Sequence, residues 1–192
     1  MYTTRGRPRD TAIDAAVLAA VRRQLREHGM GGVSIRAAAA EAGTTRAAVY
    51  RRWPTLPALL VASVADLADR GGAATGDDPL ADLEAELADF RTSIRAAGSV
   101  GLVGAMLGDD VDPGLRAEYR RRVVAPRRAR IRACLERGVA AGRLDPAADL
   151  DGAVALATGG WYAAVLAGPA PGRDWPGRTA RLIWAACGGG SA

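Results

Sequence analysis

The stretch VSIRAAAAEAGTTRAAVYRRWPTLPALLVASV, residues Val33–Val64, decides the fold. Ser34 carries the short side-chain oxygen that satisfies free N–H groups at a helix start. The alanine-rich run behind it favours helix, so one is expected over Ser34–Ala42. Gly43 stops that helix, and Thr44 or Thr45 caps the next, Arg46–Arg52. Pro54 breaks the chain out of helix. Another helix then begins near Thr55 and runs to about Asp69, with Leu59, Leu60, Val64 and Leu67 along it. Two short helices meeting through a tight turn with glycine form a helix-turn-helix. Ala39 and Ala42 are small enough to let the pair cross closely, and Val49 projects into the crossing.

Upstream, a longer helix is expected over Asp10–His28, capped by Asp10 or Thr11 and ended by Gly29. Ile13, Val17, Ala20, Val21, Leu25 and His28 recur on it at three- and four-residue spacing, as one apolar stripe. Downstream, RGGAATGDDP reads as a loop and a domain boundary. Five further helices follow: Leu80–Ala97, Val100–Leu107, Pro113–Gly142, Ala147–Ala167 and Trp175–Cys187. Pro126 should kink or split the third of these. The expected fold is all-α, with about nine helices. Residues 1–53 form the helix-turn-helix part, 54–187 a larger helical part, and 188–192 a disordered tail.

Charge gives the first part a partner. All 26 basic residues are arginine. Residues 1–53 hold ten arginines against four acids, a net of +6; residues 55–192 hold sixteen against seventeen, a net of −1. A positive field confined to one end points to an anionic partner there, and with a helix-turn-helix that partner is double-stranded DNA.

Other classes fit less well. No Walker-type loop or GxSxG elbow occurs, and a lone histidine, His28, cannot supply a triad or zinc cluster, so no enzyme is expected. Cys134 and Cys187 stand far apart in no metal-type spacing, so neither a disulfide framework, a metal nor another cofactor is expected. Asp109, Asp110 and Asp112 lack the glycine and distal glutamate of a calcium loop and read as a solvated turn. The uncharged run Gly152–Gly172 is rich in alanine and glycine and includes Pro169 and Pro171. It reads as a buried helix–helix contact, and no membrane partner is expected. The polar, basic start MYTTRGRPRD carries no apolar signal segment, which favours the cytoplasm.

Taken as a set, Thr11–Val64 resembles the TetR family of repressors. The turn AEAGTT, the aromatic pair Tyr50 and Trp53, and the upstream helix ending in REHG carry the likeness. APRRARIRACLERGVAAGRLDPAADLDGAVAL, Ala125–Leu156, is similar to segments of many members. Two positions depart from the family's pattern. Ala38 replaces a larger aliphatic residue, and Leu56 replaces a lysine near the DNA backbone. The resemblance implies a homodimer on a near-palindromic operator, a repressor's role, and release by a small-molecule effector. It does not carry over the effector's identity. The alternative is a ligand-binding or interaction protein of the same fold that reads no specific operator.

Candidate site residues follow. Thr44, Thr45 and Arg46 open the recognition helix, the end that meets base edges in the major groove. Arg46 suits a guanine's O6 and N7. Tyr50 and Arg51 suit phosphates, as do Ser34 and Arg36 at the start of the preceding helix. Trp53 is read as core. Arg5, Arg7 and Arg9 in RGRPR resemble an AT-hook core and suit a narrow minor groove. Phe90, Ile94, Met106, Tyr119, Trp161 and Tyr162 are candidates for lining an effector cavity between helices. The last two long helices are the expected dimer interface. Gly159, Gly160 and Ala163 would permit close approach there, and Trp161 and Trp184 would anchor it.

Overall fold

The computed structural model describes residues 11–70, 76–97 and 100–190, which hold ten α-helices, a short 3-10 turn at Met30–Gly32, a π turn and no strand. The first four are α1 Thr11–His28, α2 Ile35–Glu41, α3 Arg46–Arg52 and α4 Leu56–Arg70. Then come α5 Pro79–Ala97, α6 Val100–Leu107, α7 Pro113–Tyr119, α8 Ala125–Ala140, α9 Leu150–Ala167 and α10 Trp175–Ala186. The expected cap Asp10 and the arginines Arg5, Arg7 and Arg9 lie outside the described residues.

α7 runs into α8 through a π-helical turn, Arg120–Val124, so the two form one rod and the described residues hold nine rods. Pro126 explains the turn. It has no N–H to donate, and its ring crowds the carbonyl four residues back. The wider turn absorbs the defect: the N–H of Ala125 donates to the carbonyl of Arg120, five residues earlier. The rod ends at Ala140, before Gly142 at φ 67°.

Three sequence expectations need correction. α9 starts at Leu150, not Ala147. Asp145 Oδ1 accepts from the N–H of Ala147 at 2.8 Å, and Asp149 Oδ1 accepts from Gly152 at 2.9 Å. Asp149 is therefore the cap, and Ala147 and Ala148 form a turn ahead of it. His28 is exposed, off the apolar stripe of α1. The segment GGGSA does not begin as a loose tail. Gly188 donates to Ala185 at 3.0 Å and Gly189 to Trp184 at 2.9 Å, the paired bonds that close a helix end.

Two cores hold the fold. One joins α1–α4 with α6 and α7 around Val17, Val21, Leu25, Val49, Leu59, Val61 and Leu102. The other joins α5, α8, α9 and α10 around Leu83, Leu87, Ile131, Leu135, Val154, Trp161 and Ile183. Each fully buried Leu, Ile or Val stabilises by about 1.5–3 kcal/mol. Ala38 is completely enclosed, and Leu56 packs against the first core. Arg22 ties α1 to α4, donating to the Ser63 carbonyl at 2.9 Å and to Asp66 at 2.8 Å. Charge is also buried between α5 and α8: Glu86 of α5, 2% exposed, accepts from Arg130 of α8 at 2.9 Å, and Asp82 and Arg127 are buried as well.

Candidate nucleic-acid interface

The turn between α2 and α3 is built by three side chains, Ser34, Gln24 and Thr45, and by the backbone of Gly43 and Thr44. Ser34 caps α2: its Oγ accepts from the N–H of Ala37 at 3.3 Å, and its own N–H donates to Gln24 of α1 at 2.8 Å. Gly43 adopts φ 65°, a conformation that costs an L-residue about 1–2 kcal/mol. That reversal lets Thr44 N–H donate to Ala39 at 2.9 Å and Gly43 N–H to Ala40 at 3.2 Å. Thr45, not Thr44, caps α3, its Oγ1 accepting from Ala48 at 3.1 Å. Trp53 leaves the helix in extended conformation, as a residue before proline must.

α3 then has a definite inside and outside. Ala48 and Val49 are buried; Arg46, Ala47, Tyr50 and Arg51 are exposed. Arg46 Nη2 donates to the Tyr50 hydroxyl at 3.3 Å, and its guanidinium lies 5.2 Å from the ring centroid. The hydroxyl proton of Tyr50 stays available for a phosphate. Thr44 is half-buried and Thr45 exposed. Arg36 is exposed on α2. Arg36, Arg46 and Arg51 have no carboxylate partner among the described residues. Arg52 behaves differently, turning back to Asp14 of α1 at 2.5 Å. Trp53 is half-buried against the first core, as expected.

A cavity of about 300 Å³ lies where the two cores meet, among α4–α9 and the π turn. Phe90, Ile94, Met106, Tyr119 and Tyr162 line it. Trp161 does not. It stands behind Phe90, edge-on at 6.2 Å, and packs on Trp175 at 5.1 Å. Sequence reasoning missed four arginines on the wall: Arg116, Arg120, Arg127 and Arg128. Their spacing was a signal: Arg120 and Arg127 follow Arg116 at steps of four and seven, with Arg128 next to Arg127, which puts them on one side of the rod. Burial pushes the Tyr119 phenol up to about 12. Tyr162 is raised for the same reason, with Tyr119 adding to the effect.

The outer face of α9 and α10 is apolar and open. Gly159, Gly160 and Ala163 are exposed there, with Leu156 at 66%, Leu166 at 89% and Leu182 at 68%. Trp161 and Trp184 point the other way, into their own protomer's core at 1% and 3% exposure, and so cannot anchor a partner. α9 is long and apolar enough to cross a membrane, but its inner face of Ala153, Val154, Ala157 and Trp161 is core. The buried contact expected of Gly152–Gly172 is thus made by one face only.

Comparison with known proteins agrees with this architecture. Residues 17–63 match the model described as bacterial regulatory proteins, tetR family. Residues 73–183 match the tetracyclin repressor-like C-terminal domain. The uncharacterized HTH-type transcriptional regulator YdeS of Bacillus subtilis (strain 168) is 31% identical over 163 residues, 83% of this chain and 81% of that one. Among solved structures, a TetR-family transcriptional regulator from Rhodococcus sp. superposes with a TM-score of 0.73 at 17% identity, covering 92% of this chain and 99% of its own. The TetR family transcription regulator SCO0332 gives a TM-score of 0.69 at 26% identity, with 91% and 97% covered. The helix-turn-helix, the all-helical remainder and both family matches place this chain in the TetR family of transcriptional regulators.

Proposed function

We propose that the protein is a cytoplasmic, homodimeric repressor that binds a near-palindromic operator and is released by a small-molecule effector. Residues 1–53 bind DNA, 54–187 dimerise and sense the effector, and no membrane partner is involved. The observation that carries this reading is the outward face of α3. Arg46 is stacked on Tyr50 there, and Arg36, Arg46 and Arg51 are left uncompensated within a segment of net charge +6. In this reading Arg46 meets a base edge, and Thr44 and Thr45 lie against the groove. Ser34, Arg36, Tyr50 and Arg51 hold phosphates. Arg5, Arg7 and Arg9 follow the adjacent minor groove.

Two copies joined through the open face of α9 and α10 would set their recognition helices about 34–36 Å apart, in successive major grooves. α4 connects sensing to binding. Its first residue, Leu56, packs in the core shared with α3, and its Val64 and Ala68 line the cavity. An effector that prefers one position of α4 would favour one spacing of the two heads and so disfavour the operator.

Leu56 supports a second reading. It faces the core, where a lysine would face the DNA backbone, so a ligand-binding protein without operator specificity is the alternative. A gel-shift screen against DNA flanking the protein's own gene separates them. The repressor reading expects a discrete complex that survives excess random duplex. Binding no stronger than to random duplex at the same salt would favour the alternative.

A further inference from the structure

We infer that the cavity is built for an amphipathic organic anion, its apolar body against Phe90, Ile94 and Met106 and its charged end held by Arg120 and Arg128. This rests on the effector-sensing reading above and adds the chemical class of the effector.

The wall is chemically one-sided. Its apolar part is Val64, Ala68, Phe90, Ile94, Val103, Met106, Leu107, Val123 and Val124. Its polar part is four arginines with Ser93, Thr158, Tyr119 and Tyr162, and it holds no carboxylate. Every polar side chain on it is therefore a hydrogen-bond donor, and the arginines donate only. A cation or a pure acceptor-poor hydrocarbon leaves those donors unanswered; an anion answers them.

The arginines are not equivalent. Arg127 is neutralised, pairing with Asp89 at 2.8 Å and donating to the Glu86 carbonyl at 3.2 Å, with its guanidinium 5.6 Å from the Phe90 ring centroid. Arg116 donates to the Gly108 carbonyl, and its Nε is buried without an acceptor. Arg120 and Arg128 have no carboxylate partner among the described residues. The nearby acid of this rod, Glu118, is engaged by Arg121 and Arg122 instead. Burial keeps Tyr119 and Tyr162 protonated, so both hydroxyls can donate to a ligand oxygen. The π turn lies directly in this wall, contributing Arg120, Val123 and Val124; such turns recur at functional sites. About 300 Å³ sits at the small end of ligand sites, so the molecule is compact.

Calorimetry on the full chain with four probes that share a ten-carbon chain tests this. Decanoate and decyl phosphate supply two kinds of anion, 1-decanol the neutral body, and decyltrimethylammonium the opposite charge. At least one anion should bind roughly tenfold or more tighter than decanol, and the cation weakest. Which anion binds better distinguishes carboxylate from phosphate. The double variant Arg120→Gln/Arg128→Gln should weaken the anion by roughly tenfold or more and leave decanol unchanged. Ile94→Trp, which fills the cavity, should abolish both. Decanol or the cation binding as tightly as the anions, with Ile94→Trp still blocking it, would overturn the anion assignment and leave the sensing reading intact. Anion binding that survives Ile94→Trp would also overturn it, by placing the anion elsewhere. Binding of none of the four would overturn both readings.

Discussion

Arg46 and Tyr50 stand one helical turn apart, and that spacing makes them a unit. The ring fixes the guanidinium on the outer face of α3, which reduces the rotamer freedom lost on meeting a base. Arg46→Ala should therefore weaken the best operator by about 1–3 kcal/mol and relax preference at one base pair. Anisotropy titrations against single-site operator variants measure this; a uniform loss across all variants would make Arg46 a phosphate contact instead. In the proposed reading, residues 1–9 form a basic arm that contributes through charge. Deleting residues 1–9 should reduce the slope of log affinity against log salt by about 0.9 for each of Arg5, Arg7 and Arg9 that sits on a phosphate. An unchanged slope would leave the arm without a role in binding. The cavity tyrosines give a pH signature. Tyr119 keeps its proton in the folded chain up to about 12, whereas an unfolded tyrosine loses it near 10. Between those values the folded chain binds more protons, so stability falls as pH rises through that window. Absorbance at alkaline pH should show Tyr119 and Tyr162 ionising later than tyrosines of the unfolded chain, and only with unfolding; both titrating near 10 while the chain stays folded would contradict their burial.

The helix-turn-helix was legible because each of its boundaries is set locally. Ser34, Gly43, Thr45 and Pro54 each restrict a backbone angle or satisfy a named N–H, and all four act as read. Gly43→Ala should cost about 1–2 kcal/mol, since open space around its Cβ leaves the backbone angle as the only penalty. Urea unfolding should show a lower midpoint at unchanged slope. An unaltered midpoint would mean the turn can relax to φ below zero. Farther along, the sequence was less telling. Ala147 and Ala148 have helix propensity, but Asp145 and Asp149 draw the local N–H groups into a turn. α9 is apolar almost all round, so periodicity does not show which face turns inward. The misplacement of Trp161 at an interface follows from that; Trp184 lies on α10, where Pro176, Ala180, Ile183 and Trp184 form a readable inward stripe. The cavity arginines form a readable stripe, but what the stripe faces depends on α4, α5 and α9, which pack against it across long sequence separations.

At the scale of the molecule, the open apolar face is what remains after both cores have closed. Leu156, Leu166 and Leu182 cannot be drawn into either core, because the opposite sides of α9 and α10 already fill the second. A second copy meeting the same face would bury them, with Gly159, Gly160 and Ala163 allowing the helices to approach closely. Such a dimer converts binding of the second half-site into an intramolecular step at an effective concentration in the millimolar range. Sizing of the wild-type chain at micromolar concentration should therefore give a dimer. Leu156→Arg combined with Leu182→Arg should give a monomer of unchanged helical circular dichroism, since both side chains lie outside the protomer's core. Its affinity for a full operator should fall by roughly 10²-fold or more, while its affinity for an isolated half-site stays the same. The half-site measurement is what makes the result decisive. Equal losses on both DNAs would mean the substitutions had damaged the head. A variant that stays dimeric would move the interface off α9 and α10, and with it the proposed spacing of the two recognition helices.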